Sequence, residues 1–262
     1  MKKQSFLEVV VLLILFSGSL LFGRLPFAIC MSLFAVLSLR EILLIRGKSK
    51  VPIELELLAY ILVVFFTMNN YSADVAVYLL DYRLMAALII IDMLPLVLIN
   101  NKNKYNSNDA LYLIGSTMFI GLTFNLIVLF RSYNFDYVIY VFLIAFCTDL
   151  FAFITGKYIG QHNFFPTISP RKTLEGALGG LAMGTIIPTL YFISTITTEL
   201  PIYAIVLLTM GLSVLGQFGD LVFSFIKREY GKKDFLKGGG ILDILDSIIF
   251  ISLAFVLIIS IL

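Results

Sequence analysis

Between Gly219 and Ser247 an otherwise apolar chain gathers Asp220, Lys227, Arg228, Lys232, Lys233, Asp234, Lys237, Asp243 and Asp246 around Gly238, Gly239 and Gly240. Apolar runs flank the stretch on both sides, and charge beside hydrocarbon is expensive enough to need a reason. Carboxylates, cations and a glycine loop together suit a metal-bound polyphosphate. Carboxylate oxygens are the hard ligands Mg2+ takes, usually one or two alongside substrate phosphates. No cluster of thiolates or imidazoles offers the zinc alternative. Glycine lacks a Cβ, so a glycine run lets backbone N–H groups come close to an anion.

Helical spacing puts Gly216, Asp220, Ser224 and Lys227 on one face, leading from a glycine past a carboxylate and a hydroxyl to an ammonium. Asp243 and Asp246 stand three apart at the start of the last apolar run, where both can face one way. Simple helix capping is the bland explanation for that pair. Attraction to anionic lipid headgroups is the bland explanation for Lys232 and Lys237. A second polar loop reads Ser169-Pro170-Arg171-Lys172-Thr173-Leu174-Glu175-Gly176. Its Ser169 and Thr173 hydroxyls can donate to phosphate oxygens, and Arg171 and Lys172 supply charge. Thr173 could equally cap the helix that follows. His162, the one histidine, reads as a surface residue, and Asp149 as an intramembrane acid belonging to a site. Asp92 has no evident role.

The elements that must position these groups are membrane helices. The chain has 262 residues, 60% hydrophobic and 14% charged, with a mean hydropathy of +1.00. A soluble domain would carry roughly 25% charged residues. About nine apolar segments emerge, at 6–22, 25–45, 55–68, 84–99, 110–130, 137–154, 176–193, 202–226 and 244–262. Several approach or exceed the roughly 20 residues that cross a bilayer, and none alternates with the period of two that a barrel strand needs. The expected fold is therefore all-α and polytopic. Residues 1–135 form N-terminal transmembrane helices, and 136–262 form a C-terminal catalytic region within one membrane domain. Residues 6–22 follow Lys2 and Lys3 and read as a retained first span rather than a cleaved leader. With the N-terminus in the cytoplasm, every Lys and Arg except Arg24, Arg83 and Arg131 falls on the cytoplasmic side. Both polar loops lie on that side. Cys30 and Cys147 sit inside apolar runs as packing residues. A net charge of +2 gives no reason to invoke nucleic acid.

These loops resemble the phosphatidate cytidylyltransferase, or CDP-diacylglycerol synthase, family. Its signature runs approximately S-x-x-K-R-x4-K-D, a linker, then H-G-G-x-x-D-R-x-D. Ser224, Lys227, Arg228, Lys233 and Asp234 match the first part; Gly239, Gly240, Asp243 and Asp246 match the second. Gly216-Gln217, Gly219-Asp220-Leu221, Ser169-Pro170, Lys172-Thr173 and Glu175-Gly176 match two further family motifs, and Glu41 is a candidate match in the N-terminal half. Gly238, Ile244 and Phe223 stand where the family carries His, Arg and Glu.

The resemblance implies transfer of a cytidylyl group from CTP to phosphatidic acid at the cytoplasmic face of the cell membrane, in phospholipid biosynthesis. Asp220, Lys227, Arg228, Asp243 and Asp246 would be catalytic, with Asp220, Asp243 and Asp246 holding Mg2+, as one ion or two. Ser169, Lys172, Thr173, Ser224, Lys233, Asp234, Gly239 and Gly240 would bind substrate, and the resemblance suggests a homodimer. Two other readings remain open at this point: a CTP-dependent cytidylyltransferase or kinase for another membrane lipid, and a degenerate homologue serving as a scaffold.

Overall fold

The computed structural model describes residues 15–46, 51–69, 82–93, 95–98, 105–232, 235 and 240–259. Every regular element among them is helical. Residues 15–22 are helical. After them come α1 (Arg24–Ile45), α2 (Ile53–Met68), α3 (Tyr82–Met93), the short α4 (Pro95–Leu98), α5 (Ser107–Tyr133), α6 (Phe135–Ile159), α7 (Leu174–Thr195), α8 (Ile202–Glu229) and α9 (Leu242–Ile259). Among the described residues α1, α5, α6, α7 and α8 are long and apolar enough to cross a membrane. The protein is thus an all-helical, multi-pass membrane protein, as expected; backbone polar groups in lipid must be satisfied within the segment, which helices achieve.

The chain divides into two compact units. One comprises Met1–Tyr133 with Asp234–Leu242, the other Asn134–Lys233 with Asp243–Leu262. In the first, α1, α2 and α5 pack on one another, and α3 rests on α2 and α5. Leu62, Phe66 and Leu88 form a buried cluster there. Asn125, buried in α5, donates its side-chain N–H to the Phe66 carbonyl at 2.6 Å. The start of α5 is a reciprocal cap: the Asp109 N–H donates to Asn106 Oδ1 (2.9 Å) and the Asn106 N–H to Asp109 Oδ2 (3.2 Å). Arg46 closes this cap with an ion pair to Asp109 at 3.0 Å. Asp92 is fully buried on α3, and the Tyr105 hydroxyl donates to its backbone carbonyl at 2.9 Å.

In the second unit the most extensive contact is between α6 and α7. Gly176, Gly180 and Gly184, spaced by four, form a stripe that lets α7 press against α6. A Cβ on Gly180 would lie 2.6 Å from the Thr148 carbonyl and 2.8 Å from Ala152 Cβ. Hydroxyls join the helices beyond: Tyr140 to Thr209 at 2.7 Å and Thr148 to Ser213 at 2.8 Å. Gly216 and Gly219 do the same for α8 against α9, where added Cβ atoms would meet Ile251 and Phe250 at 2.8 Å. The helices outrun the apolar segments: α6 continues to Ile159 rather than 154, and α8 to Glu229 rather than 226. Hydropathy marks where a helix meets lipid, whereas hydrogen bonding carries it further into the polar region.

Valine at Gly180 should push α7 off α6 and lower stability by about 1–3 kcal/mol. Gly211 on α8 has nothing within 4 Å of an added Cβ. Gly211→Ala should therefore leave stability unchanged or raise it by up to ~1 kcal/mol. Thermal unfolding in detergent separates the two.

Candidate functional site

The site is built at the polar ends of helices in the second unit. The α8 helix ends in a Schellman turn: the Lys232 N–H reaches the Lys227 carbonyl (2.8 Å) and the Gly231 N–H the Arg228 carbonyl (2.9 Å). Gly231 has φ +66°, the left-handed conformation this turn requires and glycine adopts without strain. Lys227 and Arg228 thus lie in the last helical turn, where cations complement the helix dipole. One and two turns earlier on the same face come Ser224 and Asp220, as the spacing predicts. Ser224 Oγ donates to Asp220 Oδ1 at 3.3 Å.

Two ion pairs organise the cluster. Lys172 Nζ lies 2.5 Å from Asp220 Oδ2, and both groups are half-buried. Lys227 Nζ lies 2.6 Å from Asp243 Oδ1, tying the last turn of α8 to the first of α9. Lys227 is only 7% exposed, which makes its pairing obligatory. Asp246, one turn further along α9, is 6% exposed and accepts the Ser247 N–H at 2.8 Å. Ser247 Oγ in turn donates to Asp149 Oδ1 at 3.3 Å. Asp246 lies within the electrostatic reach of Asp220, Asp149 and Lys227. Three bonded groups thus stand side by side on the ends of α6, α8 and α9 and the second loop: Lys172–Asp220–Ser224, Lys227–Asp243 and Asp246–Ser247–Asp149.

The second loop is positioned as carefully. Thr173 is the N-cap of α7, its hydroxyl accepting the Gly176 N–H at 3.2 Å. That fulfils the capping alternative. Glu175 accepts the backbone N–H groups of Gln161 (3.0 Å) and His162 (3.2 Å), and its carboxylate meets His162 Nδ1 at 2.6 Å. Backbone bonds from Phe164 to the Lys172 carbonyl (2.8 Å) and from Leu174 to the His162 carbonyl (2.9 Å) close the loop on itself. Lys172 is thereby delivered to Asp220 from a fixed backbone. Ser169 lies in the preceding turn, its N–H bonded to the Phe165 carbonyl at 2.9 Å.

Arg228 makes two contacts that its motif does not announce. Its guanidinium donates to the carbonyls of Ile168 (3.3 Å) and Lys232 (3.0 Å), which fastens the second loop to the end of α8. Gly240 lies against the Glu41 carboxylate, in the first unit. Lys233, Asp234 and Gly239 lie outside the described residues, as does Gly238. Of the departures from the family signature, Phe223 is buried and stacks edge-on with Phe250 at 6.3 Å, while Ile244 is exposed on α9. Among the described residues no three His, Cys, Asp or Glu side chains form a ready-made ligand set. Hard carboxylate oxygens do dominate the donors, and that chemistry suits a magnesium ion that takes most of its ligands from water and phosphate.

Sequence reasoning missed Ser247, the link from Asp246 to Asp149, and the loop-fastening roles of Glu175 and Arg228. Only the first carried a signal, a hydroxyl directly after the second acid of the pair.

The fold and the cluster define a multi-pass membrane protein that gathers lysines and carboxylates at the ends of its helices. Residues 3–262 match the family model described as "Cytidylyltransferase family". A protein of Staphylococcus aureus (strain COL) named phosphatidate cytidylyltransferase is 33% identical over 251 residues, covering 94% of each chain. One of the same name from Staphylococcus haemolyticus is 39% identical over 155 residues, 58% of this chain and 59% of that one. Another, from Staphylococcus epidermidis, is 32% identical over 249 residues. The chain belongs to the cytidylyltransferase family.

Lys227→Met and Asp243→Asn should each lower stability by roughly 2–4 kcal/mol, because each removes a short ion pair from a poorly hydrated place. The double variant should lose less than the sum, with a coupling of about 1–3 kcal/mol in a denaturation cycle.

Proposed function

We propose that this chain transfers a cytidylyl group from CTP to phosphatidate, giving CDP-diacylglycerol and pyrophosphate. The observation that carries the reading is the cluster of Lys172, Asp220, Lys227, Asp243 and Asp246, found in a chain that aligns over 94% of its length with relatives of that name. The excess of basic residues in the two polar loops supports a cytoplasmic facing at the cell membrane, where CTP is dissolved and the lipid phosphate is presented.

In the reaction, an oxygen of the lipid phosphate attacks the α-phosphorus of CTP. A new P–O bond forms as the bond to the bridging oxygen breaks, and pyrophosphate leaves with that electron pair. The nucleophile is already anionic near neutral pH, so no strong general base is needed. The chain's task is positioning and charge compensation. Lys172 and Lys227 are the ammonium groups for phosphate oxygens, each held at a carboxylate that fixes its direction. Ser224 adds a hydroxyl on the same face of α8, and Ser169 another on the second loop. Arg228 fastens that loop, so Lys172 keeps its place as substrate enters. Asp220, Asp243 and Asp246 would hold Mg2+, which when bound neutralises polyphosphate charge and steadies the leaving group.

Purified protein given α-labelled CTP and phosphatidate should form CDP-diacylglycerol, and EDTA should abolish the product until Mg2+ is restored. Asp220→Ala and Asp246→Ala should each reduce turnover by at least about 100-fold, the scale of a lost electrostatic contact in a transition state. Labelled product from a different lipid in a panel of acceptors, with none from phosphatidate, would replace this substrate assignment. Absence of product from every lipid would end the enzymatic reading.

A further inference from the structure

The α9 helix, which carries Asp243 and Asp246, begins at an apolar pair of residues. Its first helical residue is Leu242 and the residue before is Ile241, so neither offers a side-chain oxygen to the first backbone N–H groups. Two of the backbone N–H groups at this helix start are satisfied from about 200 residues away in the chain. Glu41 Oε1 accepts the Ile241 N–H at 2.8 Å, and Glu41 Oε2 accepts the Leu242 N–H at 2.9 Å. Glu41 sits near the end of α1 and is 4% exposed. A carboxylate so placed is tolerable only with charge-assisted bonds, and two parallel amides at a helix start provide them. Gly240 completes the fit: a Cβ there would stand 2.7 Å from Glu41 Cδ, so a larger residue would drive the carboxylate out.

We propose that Glu41 is a positioning residue for the reaction. Its carboxylate latches the end of the glycine segment and fixes where α9 begins, and with it the register of the helix that bears Asp243 and Asp246. The inference rests on the proposed function for its kinetic arm only. It also assigns the Ile241 and Leu242 amides to Glu41, so the nucleotide phosphates are held by the lysine cluster rather than by these two groups.

Glu41→Gln, Glu41→Asp and Glu41→Ala, in full-length protein in detergent, provide the test. Hydrogen exchange should speed up at Ile241 and Leu242 in Glu41→Gln and Glu41→Ala, by about 10-fold or more for the loss of one charge-assisted bond. The kcat of Glu41→Gln for CDP-diacylglycerol formation should fall about 10- to 100-fold, as for a small misplacement of catalytic groups. Its KM for CTP should change by less than about 3-fold, since Glu41 touches no substrate in this account. Glu41→Asp, which keeps the charge, should recover part of the kcat. Unchanged exchange at both amides in Glu41→Gln would overturn the latch, as would wild-type kcat in that variant. A kcat loss that merely follows a lowered melting temperature, and vanishes on assay at a temperature where the variant is fully folded, would also overturn it. If Glu41→Ala does not fold, the Gln and Asp variants decide alone. Should the wild type form no CDP-diacylglycerol, the proposed function fails while the exchange arm still judges the latch.

Discussion

Charge that cannot leave poorly hydrated surroundings must be paired, and this constraint shapes the polar cluster at the ends of α8 and α9. An unpaired ion in a protein interior is penalised by several kcal/mol. Lys227 is buried and Asp243 meets it, which holds the start of α9 beside the last turn of α8. Lys172 meets Asp220 under a milder version of the same demand. Each pair leaves carboxylates and ammonium groups directed by one another rather than by solvent, an arrangement already close to what a polyphosphate requires.

The surrounding helices make that pairing geometrically reachable. In lipid, helices gain little from burying apolar surface against one another, so close association depends on small residues and good packing. The Gly176, Gly180 and Gly184 stripe and the Gly216 and Gly219 contacts supply it. Polar links such as Tyr140 to Thr209 and Thr148 to Ser213 then fix rotation about the helix axes. The loop that delivers Lys172 is held by Glu175 from one side and Arg228 from the other. Glu175 and Arg228 thus secure the backbone of that loop.

Much of this was legible in the sequence. Continuous apolar runs allowed only helices, and the one-face spacing of Asp220 and Ser224 survives in the structure as a hydrogen bond. Thr173 was readable as a cap because a threonine before an apolar run has that option by its chemistry. What stayed hidden were partnerships between distant segments. Nothing near Glu41 announces that it will accept the amides of Ile241 and Leu242. Nothing near Arg228 shows that its guanidinium will reach Ile168. Such pairings depend on which helices become neighbours, and local periodicity carries no record of that.

The central claim is that the Lys172–Asp220 and Lys227–Asp243 pairs mark the place where nucleotide phosphates are bound. Equilibrium binding of CTP to wild type and to Lys172→Met, in the presence of Mg2+, tests it most directly. Lys172 is the more exposed of the two lysines, so its loss should leave the fold intact. Weakening of CTP binding by about 10-fold or more, the scale of a lost charge-assisted contact, is the result this account predicts. Equal affinity in a folded Lys172→Met variant would contradict it.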